Sequence, residues 1–338
     1  MSSFPGQDPL NPEPSTPSLE LSTTAEEFLP ATQDQIPNPI QDFTYPESVN
    51  FNDLPLFQSW YQPAPPPPVR IPHLGHLLIL AVLTIFGLLC SGLLTYAALH
   101  FHFYGISTAE KAANDIHYTL GNMVILYFIP FAAGLLIFPL MWHKSFFAAL
   151  QWNAKTALHL RWRLFGAATA CLVLAMTDGM LMPGPPDAPI EKLFQTPTQA
   201  WLLFAFGVTF APFFEEMFFR GFLLPSLCTA WDWTGEQFSH KPPLPLGENG
   251  HPQWSMPAMV AASILTSIPF AWMHAEQTGY SLGPFVLLAC VSLVLCWVRL
   301  TTRSLAASVM VHACYNFLLF SLMLYATSGF RHLEQAKP

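Results

Sequence analysis

Charge is scarce in this sequence. Only 10% of its 338 residues are charged while 52% are hydrophobic, and the mean hydropathy is +0.37. One soluble core could not hide that much apolar surface, so the lipid bilayer is the natural solvent. Lys and Arg are missing altogether from residues 1–68, which hold nine acids: Asp8, Glu13, Glu20, Glu26, Glu27, Asp34, Asp42, Glu47 and Asp53. The chain carries 13 basic and 21 acidic residues, so the balance beyond residue 68 is 13 − 12 = +1. An acidic tail is joined to a nearly neutral body. Neither part has a clustered basic face, which excludes nucleic acid as a partner. CxxC spacing is also lacking. Cys90, Cys171, Cys228, Cys290, Cys296 and Cys314 fall in or beside apolar runs, where they read as small hydrophobes rather than as disulfides or a zinc-thiolate site. Residues 1–30 have neither a basic start nor an apolar stretch. No signal peptide is expected there, and the first span at Leu74 would serve as the targeting signal.

What the sequence has in quantity is long apolar runs. Runs of about 18 residues or more are membrane-span candidates, and they fall at 74–100, 120–142, 162–182, 198–226, 257–275, 283–299 and 304–325. That makes an all-α, polytopic membrane helix bundle of seven spans, or eight if one long run is split. Residues 1–70, rich in Pro, Ser, Thr, Gln and Asn and ending near Ala64-Pro65-Pro66-Pro67-Pro68, read as a disordered tail with a stiff spacer before the membrane. The division is then 1–70 for the tail, 71–185 for the first transmembrane helices and 186–328 for the remaining transmembrane core. Lys144, Lys155, Arg161 and Arg163 lie between spans two and three with no acid, and Arg299 and Arg303 precede span seven. Placing both sets in the cytoplasm puts the N-terminus inside. The protein would be a multi-pass integral membrane protein, of the cell or plasma membrane if the source is bacterial, with lipid as an obligatory partner. Residues 143–161 have the pattern of an interfacial amphipathic helix, and 227–256 reads as a polar loop.

Inside span four the sequence runs Phe210-Ala211-Pro212-Phe213-Phe214-Glu215-Glu216-Met217-Phe218-Phe219-Arg220. A charge at such a depth costs about 2.5–3.5 kcal/mol on insertion scales, so these acids need partners, a proton or a water-filled cavity. Arg220 stands four residues beyond Glu216 and can pair with it, whereas Glu215 projects about 100° away on another face. Span five offers Phe270 and His274 on one face, and span seven offers His312 and Asn316 on one face. A lone His in a membrane helix usually serves as an interhelical hydrogen bonder. Three helices that each present a polar residue make that reading harder to sustain.

These stretches resemble the signature of the CPBP family, which comprises CAAX proteases and bacteriocin-processing enzymes and includes the type II CAAX prenyl endopeptidases. The family pattern EExxxR, FxxxH and HxxxN is met by Glu215-Glu216…Arg220, Phe270…His274 and His312…Asn316, complete and in order, within roughly residues 190–325. The resemblance implies an intramembrane endopeptidase in which Glu215 acts as general base on a water, helped by His274. It also implies that His312 and Asn316 stabilise the oxyanion, while Glu216, Arg220 and Phe270 support the site. The substrate would be a peptide or protein, either a prenylated CAAX protein or a small secreted peptide. Glu215, His274 and His312 could also supply the three protein ligands of an open zinc site, although the HExxH signature is absent.

Other readings stay open at this level. The same helices could form a non-proteolytic scaffold or a self-immunity protein. A proton-coupled transporter would also place acids and His in the membrane, but should show inverted repeats, and none is visible. Asp178 reads as interfacial, and Glu276 and Gln277 as residues able to orient His274 or meet substrate. If span five starts at Pro257 at the membrane edge, His274 lies about 25 Å deep at 1.5 Å per residue. That is deeper than Glu215 or His312 should be. Either the helix starts later, or it breaks at Pro269, or the topology differs.

Overall fold

The computed structural model describes residues 70–182, 184–185, 189–240, 242–247 and 250–333. The expected disordered tail therefore lies outside the described residues, apart from Arg70. Among the described residues all regular structure is helical, and seven helices are long and apolar enough to cross a membrane. They are α1 Leu74–His100, α2 Ile116–Trp142, α3 Arg161–Leu181, α4 Pro197–Ser239, α5 Met256–Met273, α6 Leu282–Thr302 and α7 Leu305–Ala326. The bundle is a multi-pass membrane protein. Its outer faces are apolar, as α1 illustrates with Leu78, Val82, Ile85, Leu89 and Leu93 all exposed, because lipid and not water is their partner.

Helices in lipid gain little from hiding apolar surface, so small residues and hydrogen bonds must hold them together. α1 and α2 show both devices. A Cβ at Gly87 would stand 3.3 Å from Pro130, so any larger residue would make the two helices give by a few tenths of an ångström at that point. One and two turns further along, Ser91 and Thr95 on α1 donate to the Asn122 side-chain Oδ1 on α2 at 2.8 and 2.7 Å.

The segment between α2 and α3 is not one amphipathic helix. It folds into two short helices, Phe146–Ala149 and Ala154–His159. Phe146 and Leu150 are buried in a core with Phe138, Trp142 and Phe222, because aromatic rings on α2 and α4 offer them a better cover than headgroups would. The same segment receives α7. The Leu305 amide donates to the Gln151 carbonyl at 3.0 Å, and the Ser304 hydroxyl to the Asn153 carbonyl at 2.8 Å.

Helix α4 departs most from expectation. Residues 227–239, read as loop, continue the helix to Ser239. Cys228 of this stretch, with Leu224 just before it, packs on Ala258 and Ala262 of α5, and the Ser255 cap of α5 is bound by Asp232. Arg70 closes this end by pairing with Glu236 at 2.6 Å. After Arg220, α4 therefore runs on for 239 − 220 = 19 residues, about 28 Å at helical rise. α6, which touches Arg220 through Arg299, stops three residues later at Thr302. The start of α5 is level with the end of α6, where Trp254 and Ala258 pack in one cluster with Cys296 and Leu300. α5 is a single helix from Met256 to Met273, unbroken at Pro269, and its far end brings His274 to Glu215.

Two wide π-type turns, Phe206–Phe210 and Met217–Leu223, interrupt α4 on either side of Ala211–Glu216. Each ends just before a proline, and the same consequence follows twice. The Ala211 amide donates to the Phe206 carbonyl. The next nitrogen, Pro212, has no hydrogen, so the Gly207 carbonyl is left without a partner in its own helix. Asn316 of α7 donates to it at 2.7 Å. Likewise the Leu224 amide donates to the Phe219 carbonyl, Pro225 has no hydrogen, and the orphaned Arg220 carbonyl takes the Arg299 Nε–H at 3.2 Å. Arg299 also donates to the Gln151 side chain at 2.7 Å and to the Leu150 carbonyl at 3.3 Å. Its position near the end of α6 suggested a cation facing water. It is instead buried, because three otherwise unsatisfied oxygens converge on it.

Candidate functional site

Glu215, His274 and His312 come together from α4, the end of α5 and α7. The Nε2 atoms of His274 and His312 each lie 3.9 Å from Glu215 Oε2. That is too long for a direct hydrogen bond and is the separation at which a bridging water should be considered. The other carboxylate oxygen, Oε1, accepts from the Tyr127 hydroxyl of α2 at 3.1 Å.

Beneath this layer Glu216 and Arg220 have no exposed surface. Arg220 pairs with Glu216 Oε1 at 2.8 Å and donates to the hydroxyl and carbonyl oxygens of Ser292 at 2.6 and 3.0 Å. The Ser308 hydroxyl donates to Glu216 Oε2, and His312 Nδ1 lies 2.9 Å from Oε1. Phe270 floors the site. The Arg220 guanidinium carbon sits 4.5 Å from its ring centre, and the His274 and His312 rings lie 5.1 and 5.9 Å away. A cation on the face of an aromatic ring is stabilised by the ring quadrupole.

The two imidazoles have assigned orientations. His274 Nδ1 is 2.9 Å from the Phe270 carbonyl and must donate to it, and His312 Nδ1 must donate to the Glu216 carboxylate, since neither oxygen can donate in return. When neutral, both rings therefore turn an Nε2 lone pair towards Glu215 Oε2. His312 can offer an Nε2–H only as imidazolium, beside the Glu216 carboxylate. The donor types are ones zinc accepts, but no three His, Cys, Asp or Glu groups among the described residues come together as a metal site.

A cavity of about 500 Å³ opens over these residues. Tyr127, Glu215, His274, His312 and Asn316 lie on its wall, with exposed Glu276 and half-buried Gln277 beside them, and the rest is largely apolar, including Leu193, Phe194, Leu203 and Phe320. Asn316 thus reaches the cavity while its amide holds the Gly207 carbonyl. Asn316→Ala is expected to leave that carbonyl bare and to lower stability by about 1–3 kcal/mol. Thermal unfolding in detergent measures this, and an unchanged midpoint would mean the carbonyl finds another donor. Asp178 is buried in α3 and is not among the cavity residues. Sequence reasoning missed Tyr127, Ser292 and Ser308. Only Ser308 left a trace, four residues before His312 on the same helical face.

Residues 197–318 match the family model described as type II CAAX prenyl endopeptidase Rce1-like. The match begins at the first residue of α4 and ends within α7, so it contains every motif residue and excludes Tyr127. No curated protein and no solved structure matches the chain.

Proposed function

We propose that the Rce1-like domain, residues 197–318, makes this chain an intramembrane endopeptidase that hydrolyses a peptide bond through a water activated by Glu215. The observation that carries the reading is the convergence of two Nε2 atoms on one buried carboxylate oxygen at 3.9 Å each, inside a cavity of otherwise mostly apolar lining. A water at that focus donates one hydrogen to Glu215 Oε2 and the other to the Nε2 of His274. Glu215 takes a proton as the water oxygen attacks the scissile carbonyl. The new C–O bond leaves an oxyanion, which His312 and the second amide hydrogen of Asn316 stabilise. His312 donates to it as imidazolium, with its Nδ1–H held by Glu216 at 2.9 Å, the part a buried carboxylate plays behind a catalytic His. Collapse breaks the C–N bond as Glu215 returns its proton to the departing nitrogen, so one water is consumed for one acid and one amine.

The cytoplasmic N-terminus belongs to the same proposal and follows from the cations of the 143–163 segment and Arg303, which lie at one end of the bundle. The lipid-embedded site makes a membrane-associated peptide or protein the substrate. The test is cleavage of a quenched fluorescent peptide library by the full chain purified in detergent, with and without a chelator. Cleavage at a defined bond that a chelator leaves intact is the expected result. Absence of cleavage by folded protein over a broad library would favour a non-proteolytic scaffold.

A further inference from the structure

Glu215 has two carboxylate oxygens, and the proposed reaction uses only one. A glutamate's last torsion is soft and nearly two-fold, so without a restraint either oxygen could face the water. Neither imidazole supplies the restraint, since both stand 3.9 Å away. Among the described residues the Tyr127 hydroxyl, at 3.1 Å from Oε1, is the one direct hydrogen-bond donor to this side chain. The tyrosine is itself held, with its ring stacked at 5.4 Å on Phe214 and 6.2 Å on Phe206.

Behind Tyr127 and Glu215 lies a second, smaller cavity of about 160 Å³, walled by apolar side chains such as Leu126, Phe131, Phe218 and Met273. Nothing apolar can replace the hydroxyl there, and a carboxylate oxygen turned to such a wall without a donor is strongly disfavoured.

We propose that Tyr127 is a positioning residue for this site: its hydroxyl holds Oε1 of Glu215 and thereby commits Oε2 to the water between His274 and His312. The inference rests on the reading of Glu215 as base. It places a necessary group on α2, outside the matched domain, and makes the first transmembrane helices part of the site and not only its support.

Tyr127→Phe tests it, because the phenyl ring keeps the stacking and removes only the donor. Two measurements on the full chain in detergent separate the outcomes. The first is kcat and KM for a peptide the wild type cleaves. The second is the infrared carboxylate stretch of Glu215, isolated as the difference between wild type and Glu215→Gln. Losing a hydrogen bond to a charged group predicts a fall in kcat of about ten- to a hundredfold, with KM within about twofold and a shifted Glu215 band. Thermal unfolding alongside shows that the variant is folded. An unshifted band overturns the hydrogen bond itself, whatever the activity. A shifted band with kcat unchanged overturns the positioning role. Full activity in Glu215→Gln removes the base assignment and this inference with it, a result distinct from either failure of Tyr127→Phe.

Discussion

Glu215→Gln is expected to lower kcat for peptide cleavage by about a thousandfold, within the range of about 10²- to 10⁴-fold that a positioned general base contributes. The substitution is close to isosteric, and the amide oxygen can still accept from Tyr127, so the cavity keeps its shape. What disappears is the atom that takes the proton. Stability should change little, because the side chain makes no direct contact with a cation: both imidazoles stand off at 3.9 Å. Initial rates and thermal midpoints in the same detergent distinguish lost chemistry from lost folding. A kcat within tenfold of wild type, with the midpoint unmoved, would take the base role away from Glu215.

Glu216→Gln should behave in the opposite way, with its largest effect on the fold. Arg220 is fully buried, and Glu216 is its only counter-charge among the described residues. Removing one partner of a buried pair costs about 3–5 kcal/mol. Adding Arg220→Met should recover much of that loss, because the uncompensated guanidinium is then gone. Activity should not return with it, because His312 Nδ1 has lost the carboxylate at 2.9 Å that orients its ring. Thermal unfolding and cleavage rates across the two single variants and the double variant form the measurement. Recovery of both quantities together would mean that Glu216 serves only the ion pair.

Much of the bundle was legible because apolar runs of span length are conspicuous and charges inside them more so. The Glu216–Arg220 pair could be placed from helical spacing alone. The far end of α4 could not. Residues 227–239 read as a polar loop, and nothing in them shows that the helix continues past Pro225, where Arg299 holds the freed Arg220 carbonyl. Arg299 misled for a related reason: a cation near a span end has the same appearance in sequence whether it faces water or gathers three oxygens inside the protein. Tyr127 is one of nine tyrosines and lies 88 positions from its partner, with no local pattern to connect them. Asn316 was visible as a motif member, and Pro212 signals that a carbonyl upstream of it is freed; that Asn316 would hold the one at Gly207 depends on the wide turn Phe206–Phe210, whose pitch the residues do not show.

The placement of Arg220 within the same helix as Glu216 bears on how the protein is made. Spans emerge from the ribosome in order, so α4 meets lipid before Ser292, Ser308 and His312 have been synthesised. For that interval Glu216 depends on the cation four residues further along its own helix, and the two can enter the bilayer as a locally neutral unit. Glu215 has no such neighbour; its hydroxyl partner, Tyr127, arrives earlier, on α2. Glu215 is met by a span already in place, while Glu216 carries its own companion into the membrane.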